Sequence, residues 1–494
     1  MRIPLDRQCG TPLYQQIEAY LRQNILSGGL APETRLPATR QLAEDLGISR
    51  ITVKNAYAAL ESDGLIGTRE GSGTYVLPSI DHPKGHSGVA EVAWPLWQLH
   101  ARMDDLDAEE TDVASLTPRA PHPQPIAFTG VGDPCQFPVA DFYKAMQAVI
   151  RRDGTAALEY DDFDNGYAPL RQTITHVLAS QGIQAHPDQV LVTSGSQQAL
   201  ALVCQILLRP GDAVVVERPT YNLALELFRS LQQNIVGVPI DEHGMQTEAL
   251  EAVLQQQHPR LIYTIPNFQN PSGMCLSAPR RRQLVALADR YNVPILEDDF
   301  VGDPRYSGRA LPAIKALDPG GRVIYVGSFS KMLMPGLRVG YLLADGPIFS
   351  RLVRQKRVTD LTTSTLMQRT LDLFVTVGRY QAHLRRSCRA YRWRRDAMLA
   401  AIQHYLPVDV QVKPPQGGLF IWLCLPAGLS SQRLLPLALE AGVEFAPGGR
   451  FFPNPADGAR YLRLNFATQT PEAIEQGIQR LGQAVQRLMT IKRK

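Results

Sequence analysis

Apolar positions recur at helical spacing near the start of the chain and in short continuous runs beyond about residue 126. Over 12–27, Leu13, Ile17, Tyr20, Leu21 and Ile25 return every three or four residues, the stripe of an amphipathic helix. A second short helix follows Leu36-Pro37, with Leu42, Ala43 and Leu46 facing in and Gly47 closing it, as glycine does just past a helix end. Ser49 caps a third helix, whose buried side is Val53, Tyr57 and Leu60, with Leu65 in the turn beyond. Two short strands around Gly71-Ser72-Gly73 then form a hairpin. Helix, glycine turn, capped helix and hairpin make a winged helix-turn-helix. The second helix of such a pair presents its first residues to the major groove, here Arg50, Ile51, Thr52, Lys54 and Asn55.

The later runs are Val190-Leu191-Val192-Thr193, Ala213-Val214-Val215-Val216, Leu261-Ile262-Tyr263-Thr264, Pro294-Ile295-Leu296-Glu297 and Val323-Ile324-Tyr325-Val326, separated by longer helical patterns. Unbroken β-branched runs between helices predict an α/β domain with a mainly parallel sheet covered on both faces. Between the two regions, residues 78–123 carry polar stretches, an acidic run from Asp104 to Asp112 and spaced prolines, the composition of an extended linker. A short helix around Trp94 to Met103 interrupts it. The expected organisation is therefore 1–77, a linker at 78–123, and 124–494.

Composition narrows this picture. At 494 residues, 44% apolar and 20% charged, the chain can bury more than one core. No apolar run approaches the ~20 residues a membrane helix needs, and Met1-Arg2-Ile3-Pro4-Leu5-Asp6 has no secretory core. Six scattered cysteines without a C-x-x-C pair argue against a metal site or a disulfide scaffold and fit the cytoplasm. The net charge of +4 names no partner. Within 1–77 eight basic and eight acidic residues cancel, so attraction to nucleic acid has to be local. Arg35, Arg40, Arg50, Lys54 and Arg69 all fall near the groove-facing turns. Seven arginines between 379 and 395 precede the first acid, Asp396; on one helix they cannot all share a face, and they read as solvated surface.

The candidate chemistry follows strand ends. Gly327-Ser328-Phe329-Ser330-Lys331 leads on to Gly336-Leu337-Arg338 just past the run at 323–326. A lysine there can condense with an aldehyde cofactor, and Ser328 and Arg338 suit a phosphate. Ser194-Gly195-Ser196-Gln197 opens a helix after another strand, where backbone N–H groups bind anions. Asp298, in Glu297-Asp298-Asp299-Phe300, can keep a pyridine nitrogen protonated. Asn270 offers an amide. Arg463, a cation inside the apolar strand Leu462-Arg463-Leu464, needs a partner, and a ligand carboxylate would serve.

The first region resembles the GntR winged helix through Pro12-Leu13-Tyr14-Gln15-Gln16-Ile17, Leu36-Pro37-Ala38-Thr39-Arg40, Leu46 to Val53 and Gly71-Ser72-Gly73-Thr74-Tyr75-Val76. The resemblance implies double-stranded DNA as partner, phosphate contacts from Arg35 and Arg40, base or phosphate contacts from Arg50 and Thr52 with Lys54 beside them, and minor-groove contact by the wing at Arg69, Gly71 and Gly73. The region 126–490 resembles fold type I aminotransferases, and the combination resembles the MocR/GabR regulators. That resemblance implies pyridoxal 5′-phosphate held as an internal aldimine on Lys331. Asp298 would sit at the pyridine nitrogen, Asn270 at the ring hydroxyl and Tyr221 on the ring. Gly195, Ser196, Gln197, Ser328 and Arg338 would hold the phosphate, and Arg463 an effector carboxylate. It further implies a homodimer that senses a small amine, an amino acid or the cofactor itself. The alternatives are a working aminotransferase and a cofactor-free scaffold. Three residues depart from the pattern: Glu33 stands where the family has glycine, Phe300 where it commonly has tyrosine, and Asn222 where some members have arginine. Gly417-Gly418-Leu419-Phe420-Ile421-Trp422 looks like aminoadipate-type aminotransferases.

Overall fold

A computed structural model describes residues 3–5, 12–26, 29–69, 73–77, 125–130, 132–160, 164–302 and 304–493. The chain separates into two compact units, Met1–Ala101 and Arg102–Lys494. The expected linker at 78–123, with its short helix near Trp94, lies outside the described residues, as does Gly71.

The first unit comprises helices α1 (Leu13–Leu26), α2 (Thr39–Leu46) and α3 (Arg50–Ser62) and the antiparallel hairpin β1 (Ile66–Arg69) and β2 (Gly73–Val76). Gly47 takes φ 64° and ψ 43° past α2, a conformation that costs glycine little, and its N–H reaches the carbonyls of Ala43 and Glu44. The Ser49 hydroxyl accepts from the Thr52 N–H at 3.2 Å and starts α3. Ile17, Leu21, Leu36, Leu42, Val53 and Leu60 are buried together between the helices and the hairpin.

The segment before α2 also joins the wing, which the apolar pattern did not reveal. Leu36 N–H donates to Thr74 O (2.9 Å), Glu33 N–H to Val76 O (2.8 Å) and Val76 N–H to Thr34 O (3.0 Å). Glu33, the residue in place of glycine, has φ 66°. A side chain in the left-handed region costs roughly 1–2 kcal/mol. Glu33→Gly is therefore expected to stabilise this unit by roughly 1 kcal/mol. Hydrogen exchange at the Leu21 and Leu60 amides would slow about five-fold; unchanged or faster exchange contradicts the assignment of strain.

In the second unit β3 (Ile126–Ala127) precedes an eight-stranded sheet of described residues, built from β4 (Val190–Thr193), β5 (Ala213–Arg218), β6 (Asn234–Asp241), β7 (Gly244–Met245), β8 (Leu261–Thr264), β9 (Ile295–Asp299), β10 (Val323–Ser328) and β11 (Gly340–Leu343). Their order is β4-β11-β10-β9-β8-β5-β6-β7. The run β10-β9-β8-β5-β6 is parallel, as the unbroken apolar segments predict. β11 runs antiparallel to both β10 and β4, and β7 to β6. Alternation along the strands covers both faces. Val214, Val216, Leu261 and Leu296 pack with Leu200, Val203 and Leu225 of helices Ser196–Leu207 and Asn222–Ser230. Val215, Ile262, Ile295 and Val323 pack on the other face with Leu250 and Leu284. Beyond helix Arg379–Tyr405, strands β12 (Gln411–Val412), β13 (Phe420–Cys424), β14 (Val443–Glu444), β15 (Ala446–Pro447) and β16 (Tyr461–Asn465) follow. β12, β13, β16 and β15 form an antiparallel sheet, and β14 pairs with β3. Among the described residues no helix is long and apolar enough to cross a membrane.

The arginine-rich segment lies on helix Arg379–Tyr405. Arg385, Arg386, Arg389 and Arg392 are not buried, whereas Arg394 is, and it donates to Asp133 (2.7 Å) and to Ala467 O (2.5 Å).

Candidate functional site

Open α/β sheets bind ligands at the carboxyl ends of their strands. Here β4 and β5, consecutive in sequence, lie on opposite sides of the block β8 to β11, and the loops leaving them part above it. Because β11 is antiparallel, its first residue, Gly340, pairs with Thr193 at the end of β4 and with Ser328 at the end of β10. That register carries Arg338 to the start of helix Ser196–Leu207, where it donates to Ser194 O at 3.0 Å. Gly195 makes the approach possible: a β-carbon on it would lie 2.6 Å from the guanidinium, and its φ of 94° already disfavours any other residue. Ser328, at the end of β10, is half-buried and accepts from the Ser330 N–H (3.1 Å). Gln197 turns its amide to Leu223 O (3.3 Å).

Asp298 points from β9 towards Lys331 and is 1% exposed. One carboxylate oxygen accepts from the Tyr263 hydroxyl at 2.8 Å; the other is buried with no partner. Burial pushes this carboxyl up to about 7, against the pull of Tyr263, and the neighbouring Asp299 charge adds to the rise. Lys331 is held below the usual lysine range by burial and by the cations Arg338 and Arg463, with Asp298 opposing. Arg463, on β16, donates to the Asn270 amide oxygen (2.8 Å) and stacks over Phe420 and Phe451, 4.2 and 4.8 Å from the ring centroids. Its Nε is buried without a partner, and no carboxylate among the described residues pairs with it. Burial and the nearby Arg450 lower it to about 9. Tyr221 is half-buried, and Asp298, Arg463 and Arg338 all act on its hydroxyl. The segments expected to converge are thus brought together around Lys331.

Asp298 and Asp299 are both buried. So is Glu297. Glu297 accepts from the Ile314 and Lys315 N–H groups (2.8 and 2.7 Å). Asp299 faces the other side of the sheet, within 2.7 Å of Tyr325, and lines a cavity of about 270 Å³. Residues missed from sequence include Tyr263, Phe451 and Arg450, and the buried Glu217. Glu217 accepts from Thr264 (2.7 Å), Ile265 N–H (3.2 Å) and Gln269 (3.1 Å), tying together the two loops that carry Tyr221 and Asn270. Arg218-Pro219 and Asn270-Pro271, in the same loops, are cis. Asn222 donates to Glu226 (3.4 Å), and Phe300 stacks on Phe420.

In the first unit Arg50, Lys54 and Asn55 are exposed at the start of α3. The Thr52 hydroxyl lies 2.8 Å from that of Ser49, inside the cap. Arg40 is held by Glu44 at 3.1 Å, and Arg35 bridges to Tyr75 with its guanidinium against Gly73.

Comparison with known proteins agrees with both units. The family of bacterial regulatory proteins called gntR matches residues 13–76, and aminotransferase class I and II matches 129–481. The uncharacterized HTH-type transcriptional regulator YdcR of Escherichia coli is 34% identical over 96% of this chain and 99% of its own. The probable rhizopine catabolism regulatory protein MocR of Rhizobium meliloti is 32% identical over 97% of this chain and 95% of its own. This chain belongs to the MocR family. It is a pyridoxal 5′-phosphate-dependent regulator that joins a DNA-binding winged helix to an aminotransferase-type domain. The aminotransferase-type half of this MocR protein is similar to the solved structure of LysN, an α-aminoadipate aminotransferase of Thermus thermophilus complexed with N-(5′-phosphopyridoxyl)-L-leucine. The TM-score is 0.69 and the identity 37%, covering 74% of this chain and 93% of that one.

The residues of this MocR protein fit its cofactor. Asp298 has an uncommitted buried oxygen where a ring N–H can donate, and Gly195 leaves open the anion-binding start of a helix beside Arg338.

Proposed function

We propose that the chain is a homodimeric cytoplasmic regulator in which 1–77 reads DNA, 78–123 links, and 124–494 senses a small amine, an amino acid or pyridoxal 5′-phosphate itself at Lys331. The observation that carries this reading is Arg463, a half-buried cation whose buried Nε has no partner and which no carboxylate among the described residues pairs. A buried guanidinium without an anion is costly, and a ligand carboxylate supplies the missing partner in a charge-assisted pair.

When bound, the cofactor supplies an aldehyde that condenses with amines and a ring that withdraws electrons. Lys331 would attach it; the lowered basicity of this lysine keeps more of it neutral and nucleophilic near pH 8 than a solvated lysine. Asp298 would accept from the ring nitrogen. Asn270, whose amide oxygen serves Arg463, would turn its amide nitrogen to the ring hydroxyl. Tyr221 would cover the ring, and Gly195, Ser196, Gln197, Ser328 and Arg338 would hold the phosphate. On DNA, Arg35 and Arg40 would take phosphates, Arg50, Thr52 and Lys54 would enter the major groove, and Arg69, Gly71 and Gly73 the minor groove. Arg40 and Thr52 exchange their bonds to Glu44 and Ser49 to do so. Exposed apolar side chains at Val139, Tyr143, Leu158 and Tyr160, 53–76% exposed, favour a second copy as cover.

The test is DNA affinity of the full-length, cofactor-loaded protein with and without a panel of amino acids and amines. A ligand-dependent change supports sensing; no change with any of them, or with cofactor removal, refutes it. The complete set of groups around Lys331 also favours a second reading, a working aminotransferase, which predicts keto-acid release with turnover.

Phe300 allows a further check. Without a hydroxyl there, one donor to the ring hydroxyl is missing. Phe300→Tyr is expected to lower the pH midpoint of the visible band by about one unit, the worth of one hydrogen bond to a charged group. An unmoved midpoint would mean that residue 300 does not face the ring hydroxyl.

A further inference from the structure

Helix α3 divides cleanly. Val53, Ala56, Tyr57 and Leu60 are buried, and Arg50, Ile51, Lys54, Asn55 and Ala58 are exposed on the other side. Ile51 is out of place in that set. It is 70% exposed, and among the described residues of the first unit it is the one large apolar side chain left in solvent. It serves no core, and its β-branched stem is poorer for a helix than the Ala, Glu or Lys that an idle surface position tolerates. It sits in the first turn, started by the Ser49 cap and flanked by Arg50 and Lys54, which carry the charge that draws in phosphate. A helix entering the major groove meets base edges with this turn. The one apolar feature in that groove is the thymine C5 methyl group.

We propose that Ile51 reads a thymine methyl in each half-site, so that the sequence recognised by this protein is fixed at that position by an apolar contact. This rests on the reading that α3 enters the major groove. The neighbouring polar side chains give affinity, whereas Ile51 gives discrimination, because its desolvation is repaid only against a methyl group.

Duplexes selected from a random pool by the full-length, cofactor-loaded protein provide the target. Each thymine is then replaced by uracil, which removes the methyl and leaves the hydrogen-bonding edge intact. The expected result is one thymine per half-site whose replacement weakens binding about four-fold, the worth of one buried methyl group. In Ile51→Ala, which loses no core contact, that replacement becomes neutral, while Ile51→Val retains most of the difference. Uracil tolerated at every position, or a penalty that persists undiminished in Ile51→Ala, overturns the proposal while leaving DNA binding intact. Failure to select any duplex overturns the DNA-binding reading beneath it.

Discussion

Lys331→Ala is expected to abolish covalent attachment of the cofactor and, with it, every change in DNA affinity produced by an amine. Lys331 follows the end of β10, and Arg338, Arg463 and Asp298 act on it. No second lysine follows in this loop: Met332, Leu333 and Met334 come next. The substitution removes a desolvated cation that forms no ion pair among the described residues, so the fold does not depend on it. Phosphate contacts at Gly195, Ser328 and Arg338 would still retain the cofactor weakly. The variant should therefore bind DNA with one fixed affinity, insensitive to effector, and its visible band should disappear on gel filtration. The measurement is absorbance before and after filtration, with DNA titrations alongside. Regulation unchanged in this variant would leave the large unit as a scaffold.

Arg463→Ala carries the second large effect, and its value lies in selectivity. Truncating one partner of a buried charge pair costs roughly 2–4 kcal/mol, about thirty- to a thousand-fold in affinity. That loss should fall on ligands with a carboxylate. Amines lacking one should bind nearly as before, because the groups around their nitrogen are untouched. Arg463→Lys should recover only part of the affinity, since an ammonium cannot hold Asn270 and a carboxylate in one planar fork. Equal losses for both ligand classes, measured by titrating the visible band, would make Arg463 structural.

Much of this was legible in the chain. The stripe Leu13, Ile17, Leu21, the glycine at 47 and the cap at 49 each have a local physical cause, and each element formed where that cause placed it. The runs at 190–193 and 261–264 coincide with strands because burial on both faces leaves no polar interruption. β11, and the pairing that gathers the strand of Arg463 into a second sheet, were not assigned, since short antiparallel strands owe their pairing to distant partners rather than to pattern. Among site residues, Lys331, Asp298 and Arg463 stand out as charges at the ends of apolar runs or within them. Tyr263 looks like one more strand aromatic, and only the parallel pairing of β8 with β9 brings its hydroxyl to Asp298. Asp299 shows the limit of local reading: two adjacent acids suggest a turn, but alternation along β9 buries them on opposite faces of the sheet. Glu33 is the converse case, where one unexpected residue marked a real feature, a left-handed position in the turn before the wing.

The most direct test of sensing at Lys331 is the visible absorption spectrum of the purified protein during titration with amino acids and amines. The expected result is a cofactor band that shifts to a new, stable position with the effector, without keto-acid release. No cofactor band, or a band that bleaches with turnover to the amine form of the cofactor, would contradict it.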